Sequence, residues 1–312
     1  MKAIVWTKYG PPEGLQLQEV EKPFPKDNEV LIRIHATTVT AGDCEMRSLK
    51  LPLFLSFPTR MYVGFRRPTR VKIIGQEMAG ETEAVGKDVS LFKPGDPVFG
   101  ATSFGQGTYC EYICLPEGSD GTDVALAIKP ANLTYEEAAA VPIGGNTALY
   151  LLRKAELRRG ESVLVYGASG SVGSYAVQLA RHFGAEVTGV CSTANLELVR
   201  SLGARHVLDY TRQDFIHAGK RYDVVFDAVG KISPSRSKAV LKRNGRVLSI
   251  TSPTSEETEN LIFLKELIEA GEIRPVIDRR YPLEQIVKAY RHVDRGHKKG
   301  NVVITVRDGS PA

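Results

Sequence analysis

Val163-Leu164-Val165-Tyr166-Gly167-Ala168-Ser169-Gly170-Ser171-Val172-Gly173 is the stretch on which the reading of this chain turns. It opens on a short apolar run with the length and β-branching of a buried strand. Glycines follow at 167, 170 and 173. Val172, Ala176, Val177, Leu179, Ala180 and Phe183 then recur at helical spacing, which predicts a helix entered directly from the turn. Such a strand–turn–helix suits a diphosphate. A bare Gly170 lets the backbone approach the ligand, and the unpaired N–H groups at the helix start donate to its oxygens. The helix dipole favours the negative charge, and Gly173 allows the helix to pack close to the strand. A tight turn that holds no ligand is the plain alternative for an isolated glycine triplet; the surrounding pattern favours the ligand.

That pattern repeats downstream. Glu186 to Ser192 reads as a second strand, Ala194 to Leu202 as a second helix, and His206 to Tyr210 as a third strand. Tyr222 to Ala228 and Arg246 to Thr251 give a fourth and fifth. Strand and helix alternating at this spacing argue for a parallel sheet covered by helices. A site for NAD usually carries Asp or Glu about 20 residues after the glycine turn, to hold the adenosine ribose. Here that place reads Val190-Cys191-Ser192-Thr193-Ala194-Asn195, without an acid. Hydroxyls and an amide donate to a 2′-phosphate, which an acid would repel. Ser192, Thr193 and Asn195 therefore point to NADPH as the cofactor. Arg200 either adds charge there or is plain helix surface.

The first 125 or so residues carry short strand signals and turns, with Gly10-Pro11-Pro12 and Pro94-Gly95 as punctuation. Val30 to Ala36 alternates as a half-buried strand does. After a helix over Leu261 to Ala270, Pro275 to Val306 returns to short strands around one helix. A length of 312 residues predicts two domains. The composition, 42% hydrophobic and 25% charged, is that of a globular protein. No apolar run is long enough to span a bilayer, so no membrane partner is expected. The net charge of +5 is spread along the chain, and its densest basic cluster runs from Arg60 to Lys72. That cluster reads as a solvated loop or as an anion-contacting surface; nucleic acid is not an expected partner. Cys44, Cys110, Cys114 and Cys191 match neither a zinc site nor a disulfide framework. Cys110 and Cys114 are expected on one side of a strand, as small buried residues. Such sparse cysteines fit a reducing cytoplasm.

Several further segments carry a resemblance. Met1-Lys2-Ala3, Gly75-Gln76-Glu77-Met78-Ala79-Gly80 with Val85-Gly86, and Lys93-Pro94-Gly95-Asp96-Pro97-Val98-Phe99-Gly100 stand in order. Ala138-Ala139-Ala140-Val141-Pro142 with Thr147-Ala148, the 167–173 turn and Gly300-Asn301-Val302-Val303-Ile304 follow. Together, nearly end to end, they resemble the medium-chain dehydrogenase/reductases. The resemblance implies an α/β chain in two domains. A GroES-like β-rich catalytic domain is built from residues 1–125 and 265–312. A Rossmann domain, a doubly wound parallel sheet over 126–264, binds NADPH, and the active site lies in the cleft. Zinc enzymes of the family carry Cys and His where this chain has Thr40 and Gln76, so a metal site is not expected. What remains is similar to the zinc-free quinone oxidoreductase branch.

The resemblance implies hydride transfer from NADPH to an electrophilic small molecule, a quinone or an α,β-unsaturated carbonyl. Thr40 is expected to donate to the substrate oxygen and Asp43 to orient a donor or water; Asp43 is equally readable as the N-cap of a helix over Cys44 to Ser48. Tyr62 is a candidate proton donor, with packing under a loop as its alternative. For the cofactor, Gly167, Ser169, Gly170, Ser171, Val172 and Gly173 would cradle the diphosphate. Ser192, Thr193 and Asn195, with Tyr210 after the third strand, would meet the 2′-phosphate, and Thr147 the nicotinamide ribose. His35 reads as structural. The family's sixth strand, which often pairs across a dimer, has no counterpart in the short Thr254 to Asn260 segment, so a homo-oligomer through that edge is not expected. Two other functions stand beside the reductase: an NADPH-binding sensor or scaffold with little turnover, and an alcohol dehydrogenase-like enzyme.

Overall fold

The computed structural model describes residues 1–49, 53–102, 106–117 and 124–307. In chain order the elements are β1 (Lys2–Trp6), β2 (Leu15–Glu19), β3 (Glu29–Val39), α1 (Ala41–Ser48), α2 (Leu53–Val63), β4 (Glu77–Val85), β5 (Pro97–Ala101), β6 (Tyr112–Pro116), β7 (Ala125–Ile128) and α3 (Tyr135–Ala139). There follow α4 (Pro142–Lys154), β8 (Ser162–Tyr166), α5 (Ser171–His182), β9 (Glu186–Cys191), α6 (Leu196–Ser201), β10 (His206–Asp209), β11 (Tyr222–Asp227), α7 (Pro234–Val240), β12 (Leu241–Ser249) and α8 (Thr258–Glu269). The last three are β13 (Ile277–Pro282), α9 (Ile286–Asp294) and β14 (Asn301–Thr305).

These elements pack as two units. The first contains Met1–Pro142, Glu257–Ile262 and the chain from Ile277; the second contains Ile143–Glu256 and Phe263–Val276. The packing divides at Pro142/Ile143, later than the 125/126 boundary read from the sequence. The reason is α3, which is fixed by a capping box between Thr134 and Glu137 and lies on β3, β4 and β5 of the first unit.

The first unit is the β-rich one. Its seven-stranded sheet runs β13-β14-β3-β4-β5-β7, with β6 also paired to β3. The expected alternation over Val30 to Ala36 holds from Ile32, with Arg33 and His35 half-buried between the buried Ile32, Ile34 and Ala36. Leu31 departs from it and is buried too, and Thr37 to Val39 are all buried beyond it, where β3 pairs with β4 and β14. Ile286, Ala289, Tyr290 and Val293 bury one stripe of α9 against Trp6, Tyr109 and Val302. His35 stacks on Tyr135 at 4.2 Å, and burial lowers its pKa. Cys110 and Cys114 do not share a face: Cys110 precedes β6 and lies in the core, while Cys114 is half-buried on the strand. The basic segment from Arg60 begins inside α2, not in a loop.

The second unit is a parallel five-stranded sheet among the described residues, ordered β10-β9-β8-β11-β12. Its apolar strands are covered by helices on both faces, as a βαβ alternation requires. Tyr175, Ala176, Val177, Leu179 and Ala180 turn one side of α5 inward. Gly189 in β9 lets α6 come close: a Cβ there would stand 2.4 Å from Val199 Cγ1. The predicted second helix is shorter than expected, a 3-10 turn over Thr193–Asn195 leading into α6. The fifth strand begins earlier than Arg246, at Leu241. It forms an edge on which Lys242 and Arg243 are exposed, a usual protection against strand addition.

Candidate functional site

The carboxyl ends of β8, β9, β10 and β11 lie along one edge of the second unit's sheet, the edge at which open parallel sheets bind ligands. The glycine-rich turn leaves β8 there. Gly167 has φ +79°, and a Cβ on it would meet Val229 Cγ2 at 2.4 Å, so both backbone and packing demand glycine. A Cβ on Gly173 would stand 2.1 Å from the Gly167 carbonyl oxygen, which fixes how closely α5 approaches the turn.

Gly170 is different. Its φ of −78° is open to any residue, and a Cβ would find only the Gly167 oxygen, at an ordinary 3.4 Å. Neither strain nor crowding within the protein calls for glycine here. Ser171, Val172 and Gly173 open α5, and their N–H groups find no acceptor among the described residues. They form the anion-binding end of a twelve-residue helix. The residues therefore fit a dinucleotide diphosphate.

The loops beside the turn complete this edge. Asn195 Nδ2 donates to Ser169 Oγ at 3.1 Å and to Ser192 Oγ at 3.3 Å. The structure thus joins three of the expected cofactor residues. Thr193 donates to the Asp209 carboxylate and shares a hydrogen bond with Thr211 at 3.1 Å. Tyr210 follows Asp209, its N–H bound to the Cys191 carbonyl at 3.1 Å and its ring largely exposed. Gly144, one turn before Thr147 on α4, lies against the start of α5: a Cβ there would be 2.5 Å from Ser171 Oγ. Thr147 itself is buried. Arg200 is surface, paired with Glu197 of its own helix.

Two residues escaped the sequence reading at this edge. Asp209 supplies, from the third strand, the acid that the second strand lacks. Hydrogen bonds from Thr193 and Thr211 hold its pKa below the usual range. The residue register Asp209↔Cys191 brings it there, a signal visible only once the parallel pairing is known. Asp227 shapes the next loop, accepting from the N–H groups of Val229, Gly230 and Ile232 at 3.0, 2.9 and 2.7 Å.

In the first unit Thr40 is the N-cap of α1. Asp43 sits at the third helical position and completes a capping box, so the cap belongs to Thr40 and not to Asp43. The Asp43 Oδ2 accepts from Thr40 N–H at 2.8 Å and from Thr40 Oγ1 at 2.7 Å. Burial pushes the Asp43 carboxyl up to about 6 despite these bonds. Thr40 Oγ1 also lies 3.3 Å from Gln76 Oε1. The structure thus brings together Thr40 and Gln76, the two residues that the resemblance sets at the zinc enzymes' ligand positions. Tyr62 lies on α2 and is half-exposed.

Residues 171–277 match the family model for zinc-binding dehydrogenases, and residues 26–125 match that for the alcohol dehydrogenase GroES-like domain. The chain is 34% identical over 328 residues to the 2-methylene-furan-3-one reductase of Solanum lycopersicum, covering 97% of this chain and 79% of that protein. It is 33% identical, with the same coverages, to the chloroplastic NADPH-dependent alkenal/one oxidoreductase of Arabidopsis thaliana. The structure of the quinone oxidoreductase from Coxiella burnetii superposes with a TM-score of 0.87 at 28% identity, over 98% of this chain and 99% of that one. With a GroES-like domain and a Rossmann-type parallel sheet in one chain, this protein belongs to the medium-chain dehydrogenase/reductase superfamily, in its quinone oxidoreductase-like branch.

Proposed function

We propose that the protein is a zinc-independent, NADPH-dependent reductase of quinones or α,β-unsaturated carbonyls, working in a reducing cytoplasm. The observation that carries the cofactor is Gly170, bare without structural need, beside three helix N–H groups without acceptors. When bound, NADPH supplies the hydride, and the protein's task is positioning. Ser171, Val172 and Gly173 would grip the diphosphate. Ser192, Thr193, Asn195 and Tyr210 would meet the 2′-phosphate, and Thr147 the nicotinamide ribose. Asp209 opposes a phosphate there, although the hydroxyls of Thr193 and Thr211 take up part of its charge. A named reductase of 33% identity uses NADPH.

On the substrate side, Thr40 would donate to the developing oxyanion, a contact worth most as charge builds. That hydroxyl has one proton, now donated to Asp43 at 2.7 Å, so a substrate oxygen would have to take it over from the carboxylate. Zinc independence is supported by Thr40 and Gln76, neither of which is a good zinc ligand. Among the described residues, no three His, Cys, Asp or Glu side chains gather as a metal site would need.

The test is turnover of purified protein with NADPH or NADH against a panel of quinones and enals, followed by loss of reduced-cofactor absorbance. Faster turnover with NADPH, unaffected by a zinc chelator, is expected. Preference for NADH would overturn the cofactor assignment, and silence across the panel with tight NADPH binding would favour a sensor.

A further inference from the structure

We infer that the outward arc of α2 and the arginine-bearing segment after it form a peripheral docking surface for an anionic phospholipid bilayer. The helix turns large apolar side chains outward as well as inward. Val63 is wholly buried, while Phe57, Met61 and Tyr62 are 62%, 57% and 52% exposed. Phe57 and Met61 stand one turn apart on the same face. Phe65, just past the helix end, is 61% exposed. Large apolar side chains clustered in this way on a surface mark an interaction site.

Charge settles the partner. The sequence from 46 to 76 contains no Asp or Glu. Arg66, Arg67, Arg70 and Lys72 are exposed, and none has an acidic partner among the described residues. Two arginines hold the apolar patch in place: Arg60 donates to the Phe65 carbonyl at 3.0 Å and Arg70 to the Met61 carbonyl at 3.1 Å. A second copy of the chain would bring the same positive charge against this one. Nucleic acid would satisfy the arginines but leave Phe57, Met61 and Phe65 in water. An anionic headgroup layer takes both, with apolar side chains in the acyl boundary and guanidinium groups at the phosphates. No helix among the described residues is long and apolar enough to cross a membrane, so attachment is to the surface.

Co-sedimentation of the full chain with vesicles tests this. Binding is expected to vesicles of phosphatidylcholine with phosphatidylglycerol, not to phosphatidylcholine alone, and to weaken as salt is raised. The pair Arg66→Gln and Arg67→Gln should lower the partition coefficient about thirtyfold, and the pair Phe57→Ser and Phe65→Ser should lower it at least tenfold. Unchanged circular dichroism and thermal midpoints show that both variants fold. Failure of the wild-type chain to sediment at low salt overturns the inference. So does sedimentation that neither pair alters, or capture by a DNA oligonucleotide while vesicles are ignored.

Discussion

The side-chain amide of Asn195 donates to the hydroxyl of Ser169 at 3.1 Å, tying the loop after the second parallel strand to the glycine turn after the first. The same amide reaches Ser192, so one residue sets the spacing of the hydroxyls that would face the adenosine end of the cofactor. Asn195→Asp replaces that donor with an acceptor and adds a charge where a 2′-phosphate would lie. We expect kcat/KM for NADPH to fall at least tenfold and that for NADH to change little, as steady-state kinetics with each cofactor will show.

The two glycines of the turn separate ligand from fold. Gly170→Ala meets no crowding within the protein, so its thermal midpoint should match wild type while the Kd for NADPH rises tenfold or more by calorimetry. Gly173→Ala drives a methyl into the Gly167 carbonyl and should cost about 2 kcal/mol of stability in urea titrations. Equal stability losses for both would contradict this division.

Asp209 lies on the same rim with its charge partly taken up by two threonines. Asp209→Asn removes the repulsion of a 2′-phosphate and keeps an acceptor for the Thr193 hydroxyl. The ratio of kcat/KM for NADPH over NADH should rise about threefold to tenfold; a fall would mean that Asp209 instead holds a ribose hydroxyl.

Asp43 makes stability depend on pH. Its native carboxyl keeps a proton up to about pH 6, against a reference value of 3.8. Between those values the native state binds more protons than the unfolded one, so this group's contribution declines as pH rises through the window and is absent above it. The full difference is about 3 kcal/mol. Urea midpoints of wild type and Asp43→Asn, compared from pH 4 to 7, should diverge by roughly that amount, the variant showing the flatter curve.

Local pattern revealed the parallel unit well. The 163–173 stretch lies on β8, its turn and α5, and each later strand falls within a few residues of its expected place, since buried parallel strands and amphipathic helices announce themselves by period. Elements held by tertiary packing were not legible. α3 and the start of α4 carry alanines and glycines whose helicity depends on what they cover. β3 keeps its legible alternation from Ile32 to Ala36, but nothing local shows that Thr37 to Val39 are buried where β14 and β4 flank them. At the candidate sites, the glycine turn was readable from spacing, and Thr40 with Asp43 from the resemblance. Asp209 was not, because Thr193 reaches it from the loop after a different strand.

β14 lies between β3 and β13, in antiparallel register with Val39 through Ala36. A strand made after the whole parallel unit therefore occupies an interior place in a sheet whose other strands, β13 apart, precede that unit. The parallel unit has its described strands by Ser249 and its last packed segment by Val276, and can close before β14 is made. The earlier half must wait, with the edge of β3 that receives β14 open, until residues beyond 300 emerge. During that interval the nascent polypeptide is most exposed to mispairing and most in need of chaperone cover.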